Sequence, residues 1–247
     1  MRELKHPVPP DESEPVRLLS VAIFRNRLEE VKTLVKNDPE LVKKGNFVGR
    51  LPLQAAIQKG NLEMVACLLD AGADVNREDT SYELPITEAV ATETVARKGL
   101  EMVDLLVKRG ADINGKTSYG ITAMHRAAAS RTADLIDYLV AHGAKVSAKT
   151  DEGKTPLLLA ASYGEEVALK RLIAHGASLE ERDNAGGNAL HLAVFNNDAQ
   201  MVALLLDLGA DPSAKMKNGW TPLKLAKKMR TDADKVTPVL VARGIKE

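Results

Sequence analysis

Cysteine is all but absent from this 247-residue chain: Cys67 stands alone, which excludes an internal disulfide and leaves nothing that requires an oxidising compartment. Net charge is absent too. Lys plus Arg and Asp plus Glu number 34 each, so no overall field draws the chain to nucleic acid or to an anionic membrane. No run of eighteen apolar residues occurs, and the opening MRELKHPVPPDESEP lacks the apolar middle of a signal peptide, which argues against membrane insertion. The cytoplasm is the expected compartment if Met1 is native; the bacterial periplasm is the alternative if this opening is the trimmed front of an exported chain. Aromatic residues are scarce, eight in all, so where they fall carries information.

What is present is order. Hydrophobic residues at 45% and charged ones at 28% suit a well-packed protein, and one phrase recurs throughout. VACLLDAGADVN, VDLLVKRGADIN, IDYLVAHGAKVS, LKRLIAHGASLE and VALLLDLGADPS place glycines at Gly72, Gly110, Gly143, Gly176 and Gly209, in steps of 38, 33, 33 and 33. A second phrase keeps pace with it: LPLQAAI, LPITEAV, TAMHRAA, TPLLLAA, NALHLAV and TPLKLAK. From LPITEAV onward its second residue lies 13 positions after the preceding repeat glycine, so the connecting loop has one fixed length. Thr155 and Thr221 are placed to cap a helix start, and Pro52, Pro85, Pro156 and Pro222 fit the first helical position, where a missing N–H costs nothing. Apolar stripes such as Val103, Leu105 and Leu106 predict a second helix in each unit, ended by a glycine in a left-handed cap.

These phrases resemble the ankyrin repeat, with its 33-residue period and its T-P-L-H-x-A phrase. The resemblance implies an all-α ankyrin-repeat solenoid of stacked helix-turn-helix units with short β-turn loops. It suggests an extension over 1–15 and one repeat domain over 16–247, with units at about 16–49, 50–82, 83–120, 121–153, 154–186, 187–219 and 220–247. Leu18 to Val42 and Lys224 to Ile245 read as degenerate terminal units, because end repeats must present a polar outer face. Five extra residues between Pro85 and Leu100, around Ala91 to Gly99, are expected to lengthen the first helix of their unit.

The stretch GADINGKT, Gly110 to Thr117, also satisfies the pattern of a phosphate-cradling loop. Such a loop needs a strand before it and a helix opening at its lysine. Here a helix is expected before it, its sister loops lack Gly-Lys-Thr, and Asp112 would stand beside the phosphate, so a nucleotide-binding enzyme is only a remote alternative. His125 and His191 occupy the histidine slot of the phrase, which the resemblance makes a structural tether. His142 and His175 precede glycines at second-helix ends, where imidazole meets the negative end of the helix dipole; a shared metal would need large distortion. No G-x-S-x-G, H-E-x-x-H or G-x-G-x-x-G string occurs. Neither a catalytic residue nor a cofactor or metal site is expected.

Function then falls to a surface. In proteins similar to this one, partners meet the loop tips and the exposed face of the first helices, on the concave side of the stack. Counting those positions from the proline slot captures six of the eight aromatics, far above chance. The candidate partner-binding residues are Phe24, Phe47, Arg50, Tyr82, Glu83, Tyr119, Ile121, Lys154, Tyr163, Phe195, Trp220 and Met229. Exposed aromatics are the side chains that most often anchor interfaces. The expectation is a non-enzymatic module, monomeric alone, that binds another protein and inhibits or masks it, that partner being an enzyme. This resembles small bacterial ankyrin proteins that confer immunity on their producer. The alternative is an adaptor that uses the basic stretch Lys215 to Arg230 as a second surface.

Overall fold

The computed structural model describes residues 13–91, 99–130, 132–229 and 234–246. Among them are fourteen α-helices and no strand. The packing divides the chain into two compact units, Met1–Ala123 and Met124–Glu247.

The first unit holds α1 (Glu14–Phe24), α2 (Leu28–Asn37), a short 3-10 helix (Pro39–Lys43), α3 (Pro52–Gln58), α4 (Leu62–Asp70), α5 (Pro85–Ala91) and α6 (Gly99–Lys108). Each odd-numbered helix packs on the even one after it, and α1, α3 and α5 stack in a row, as do α2, α4 and α6. The second unit holds α7 (Ala123–Ala129), α8 (Asp134–Ala141), α9 (Pro156–Tyr163), α10 (Glu166–Ala174), α11 (Ala189–Phe195), α12 (Ala199–Asp207), α13 (Pro222–Lys228) and α14 (Val236–Ala242). There α9, α11 and α13 form one row, and α12 packs against α14. Helix α1 reaches into the stretch expected to be an extension. The expected lengthening of α5 concerns residues 92–98, outside the described residues.

Local chemistry explains the elements. Pro52, Pro85, Pro156 and Pro222 each open a helix, with φ preset and no N–H to lose. Thr155 and Thr221 accept from the backbone N–H groups of Leu158 and Lys224, and Asn188 with His191 closes a reciprocal capping box. The second helices bury residues at i, i+1 and i+4: Met64, Val65 and Leu68; Met102, Val103 and Leu106; Leu135, Ile136 and Leu139; Ala168, Leu169 and Leu172; Met201, Val202 and Leu205. Leu105, expected in that stripe, is only half-buried, and Met102 takes the inward place. The repeat glycines end these helices in the left-handed region, at φ 85° to 91°.

Candidate partner-binding faces

Six tight turns among the described residues present the candidate tips: 46–50, 79–83, 117–121, 150–154, 183–187 and 216–220. In each, the first N–H donates to the fifth carbonyl and the fourth N–H donates back to the first carbonyl. In five of the six the first side chain completes the bracket. The Asn46 and Asp183 Oδ1 atoms and the Thr117 Oγ1 atom each accept two N–H groups of their own turn, while Asp79 and Thr150 accept one. The fourth residue adopts a positive φ and is glycine in five turns, whereas the 79–83 turn carries Tyr82 there, at φ 57°.

A side chain from the helix two before it pins each of three turns, Gln54 from α3, His125 from α7 and His191 from α11. The Gln54 amide donates to the Glu83 carbonyl at 3.3 Å, the His125 Nε2–H to the Lys154 carbonyl at 3.1 Å, and the His191 Nε2–H to the Trp220 carbonyl at 3.0 Å. Burial pushes the His191 imidazole below its usual pKa, which favours the neutral ring whose bare Nδ1 the capping box needs. His142 and His175 do cap α8 and α10. His175 bonds Asp137 at 2.7 Å and thereby holds that carboxyl below its ordinary pKa.

In the first unit, Phe24 closes α1 at 73% exposure and Phe47 stands on its turn at 70%. They border one cavity of about 410 Å³. Tyr119, 54% exposed, meets Tyr82 edge to face with ring centroids 5.2 Å apart. Arg50 lies largely inside: its Nη2 is 2.6 Å from Glu88 and its Nε 3.9 Å from Asp79. Burial pushes both carboxyls above the ordinary carboxylate range, Arg50 opposing it in each and the Ser81 N–H also in Asp79. Glu83 and Ile121 are half-buried, and their carbonyls serve the turn brackets.

In the second unit, Tyr163 ends α9 at 65% exposure and Phe195 ends α11 at 59%. The Asn196 amide donates to the Ser162 carbonyl at 2.6 Å and ties those two helix ends together. Phe195 and Met229 border a small cavity of about 80 Å³. Lys154 pairs with Glu152 at 2.7 Å, and Trp220 is half-buried, its carbonyl occupied by His191. Val21 borders the same cavity as Phe24 and Phe47, and Leu18 and Val48 are exposed as well. For Leu18 and Val21 the signal was α1 itself, which carries apolar residues on nearly every side.

The Gly110–Thr117 loop follows helix α6, and the next helix opens only at Ala123. The Thr117 hydroxyl is occupied by its turn. Neither structural requirement of a phosphate loop is met. No group of three or more metal-ligating side chains occurs among the described residues, and no described helix is long and apolar enough to cross a membrane.

A family profile described as ankyrin repeats (3 copies) matches residues 5–79, 92–183, 134–216 and 168–246. The chain belongs to the ankyrin repeat family. Among solved structures, the ankyrin repeat domain of human ASB11 is similar, with a TM-score of 0.74, 23% identity and coverage of 91% of this chain and 96% of that one. The ankyrin repeat domain of Bcl-3, a member of the IkappaB protein family, gives a TM-score of 0.70 at 24% identity over 91% and 97%. At these identities the likeness concerns the fold. A serine/threonine-protein kinase, VIK of Arabidopsis thaliana, is 37% identical over 65 residues, which make up 26% of this chain and 15% of the kinase. Ankyrin repeats are protein–protein interaction modules.

Proposed function

We propose that this ankyrin repeat protein binds a partner protein, an enzyme, through the aromatic-bearing faces of its two units and thereby inhibits or masks it. The observation that supports the reading is the exposure of Phe24, Phe47, Tyr119, Tyr163 and Phe195, each more than half open to solvent, although the chain has only eight aromatics. Large exposed rings sacrifice solubility, and interfaces recover that loss by desolvating them. A catalytic role has no comparable support, since the candidate faces hold apolar rings and engaged charges rather than a nucleophile beside a base.

The test is affinity capture from native lysate, comparing the wild type with a Tyr119→Ala, Tyr163→Ala, Phe195→Ala variant, followed by activity assays on whatever enzyme is retained. Retention should fall roughly tenfold or more while the helical spectrum and melting stay in place. Unchanged retention would sink the reading. An adaptor role is favoured by one observation, the exposure of Lys215, Lys217, Lys224, Lys227 and Lys228 along one stretch of the second unit. Loss of a second partner on Lys227→Glu and Lys228→Glu, with the first retained, would establish it.

A further inference from the structure

We infer that the N-terminal end of the first unit is a docking trench for a partner segment that pairs an apolar anchor with a nearby carboxylate. This rests on the reading of the aromatic faces as contact surfaces and names the chemistry of what one of them takes.

Two cavities meet there and share Ser20, Phe24 and Asn46. The larger, about 410 Å³, is walled by Val16, Val21, Phe24 and Phe47, and its volume lies in the ~300–1,000 Å³ span of ligand pockets. The smaller, about 170 Å³, continues past Phe24 to Lys59. Lys59 is held in place: its ammonium stands 4.0 Å from the centroid of the Phe24 ring, close enough for the ring face to attract it. Arg17 borders the larger cavity. Arg50 borders the smaller one, but Glu88 already answers its charge.

Among the described residues, no carboxylate borders either cavity, and none lies within ion-pair distance of Arg17 or Lys59. The trench therefore joins apolar walls to two cations without a carboxylate partner, Arg17 on the larger cavity and Lys59 on the smaller. An apolar side chain seated there removes the exposed rings from water. As it does so it strips water from Lys59, which favours a guest that brings an anion and disfavours one that brings none. A basic guest meets repulsion from Arg17 and Lys59 alike. A second copy docking by a two-fold axis would bring the same cations face to face.

The probe is a phage-displayed library of short random peptides, panned on the full chain, with enriched peptides measured by fluorescence anisotropy. Enriched sequences should carry a bulky apolar residue with Asp or Glu a few positions away. Their affinity should fall roughly tenfold or more in Phe24→Ser and in Lys59→Glu, weaken with salt, and be unaffected by Tyr163→Ala in the second unit. Both altered side chains are exposed, so the fold is not at stake, and circular dichroism verifies it. Enrichment of peptides without acidic residues, binding indifferent to both substitutions, or no enrichment at all overturns the proposal. So does self-association abolished by Phe24→Ser, which would reassign the trench to a second copy. Tight binding of a peptide spanning residues 1–12 would likewise reassign it to the chain itself. If peptides fail while the triple aromatic variant still loses its lysate partner, only this inference falls; if capture is also unchanged, the proposed function falls with it.

Discussion

Replacing Tyr82 separates two contributions that its position combines. At φ 57° an L-residue carries about 1–2 kcal/mol of steric strain. Glycine removes that strain but brings roughly 0.5–1 kcal/mol of extra unfolded-chain freedom. Either glycine or alanine also deletes the edge-to-face contact with Tyr119, worth about 0.5–1.5 kcal/mol. Tyr82→Gly should therefore lie within about 1 kcal/mol of the wild type, since the terms nearly cancel. Tyr82→Ala keeps the strain and loses the ring, so it should be destabilised by about 0.5–1.5 kcal/mol. The assay is urea unfolding followed by far-ultraviolet circular dichroism, read as a change of midpoint at constant slope. Glycine more stable than alanine is the expected order. Alanine equal to or above glycine would refute the claim that the turn holds Tyr82 against its backbone preference, and with it the idea that the ring is kept there for contact.

Further outcomes follow from the buried polar groups and the turn glycines. Arg50→Ala should cost roughly 3 kcal/mol, because it removes the guanidinium that faces the buried carboxyls of Glu88 and Asp79. Both carboxyls sit above their unfolded values, so their contribution is fully present below the ordinary carboxylate pKa and is lost as pH rises through the folded one. The Arg50→Ala deficit should accordingly be smaller at pH 4 than at pH 8, measured by urea titration at each. His191→Leu should cost about 1–3 kcal/mol at pH 8 by removing one of the two bonds to the Trp220 carbonyl and opening the capping box. The His191 pKa is lowered in the fold, so its contribution is present above the unfolded value and lost as pH falls through the folded one; the gap between variant and wild type should narrow in acid. Gly153→Ala and Gly219→Ala both place alanine at a positive φ, 76° and 78°. Only the former drives a methyl group into Asn184, while the latter meets open space, so thermal melting should show Gly153→Ala as the more damaging.

Most of the scaffold could be read from residues that act within their own turn of chain. Pro156 opens a helix, Thr155 caps it, and Gly176 stops the next one, all by backbone chemistry that needs no distant neighbour. Even the weak terminal signal from Leu18 to Val42 corresponds to helices α1 and α2. The 3-10 helix at Pro39 was not foreseen, because Asp38 and Pro39 favour a tight turn without fixing its kind. The Arg50, Asp79 and Glu88 cluster was equally hidden. Its members are 29 and 38 residues from Arg50, and only the stacking of one repeat on the next brings them together. The candidate list was therefore uneven: Phe24, Phe47, Tyr119, Tyr163 and Phe195 project into solvent, whereas Arg50, Glu83 and Ile121 are partly spent on internal bonds. A positional rule counts places along the chain, and it does not see which side chains the neighbouring repeat has already engaged.

The pins from Gln54, His125 and His191 grip main-chain oxygens, an atom every amino acid supplies. The three grasped positions hold an acid, a base and an indole, and the grip is the same. Descendants of this gene are thus at liberty to rewrite what the tips display without loosening the bolts beneath them, so recognition can drift while the framework stays still.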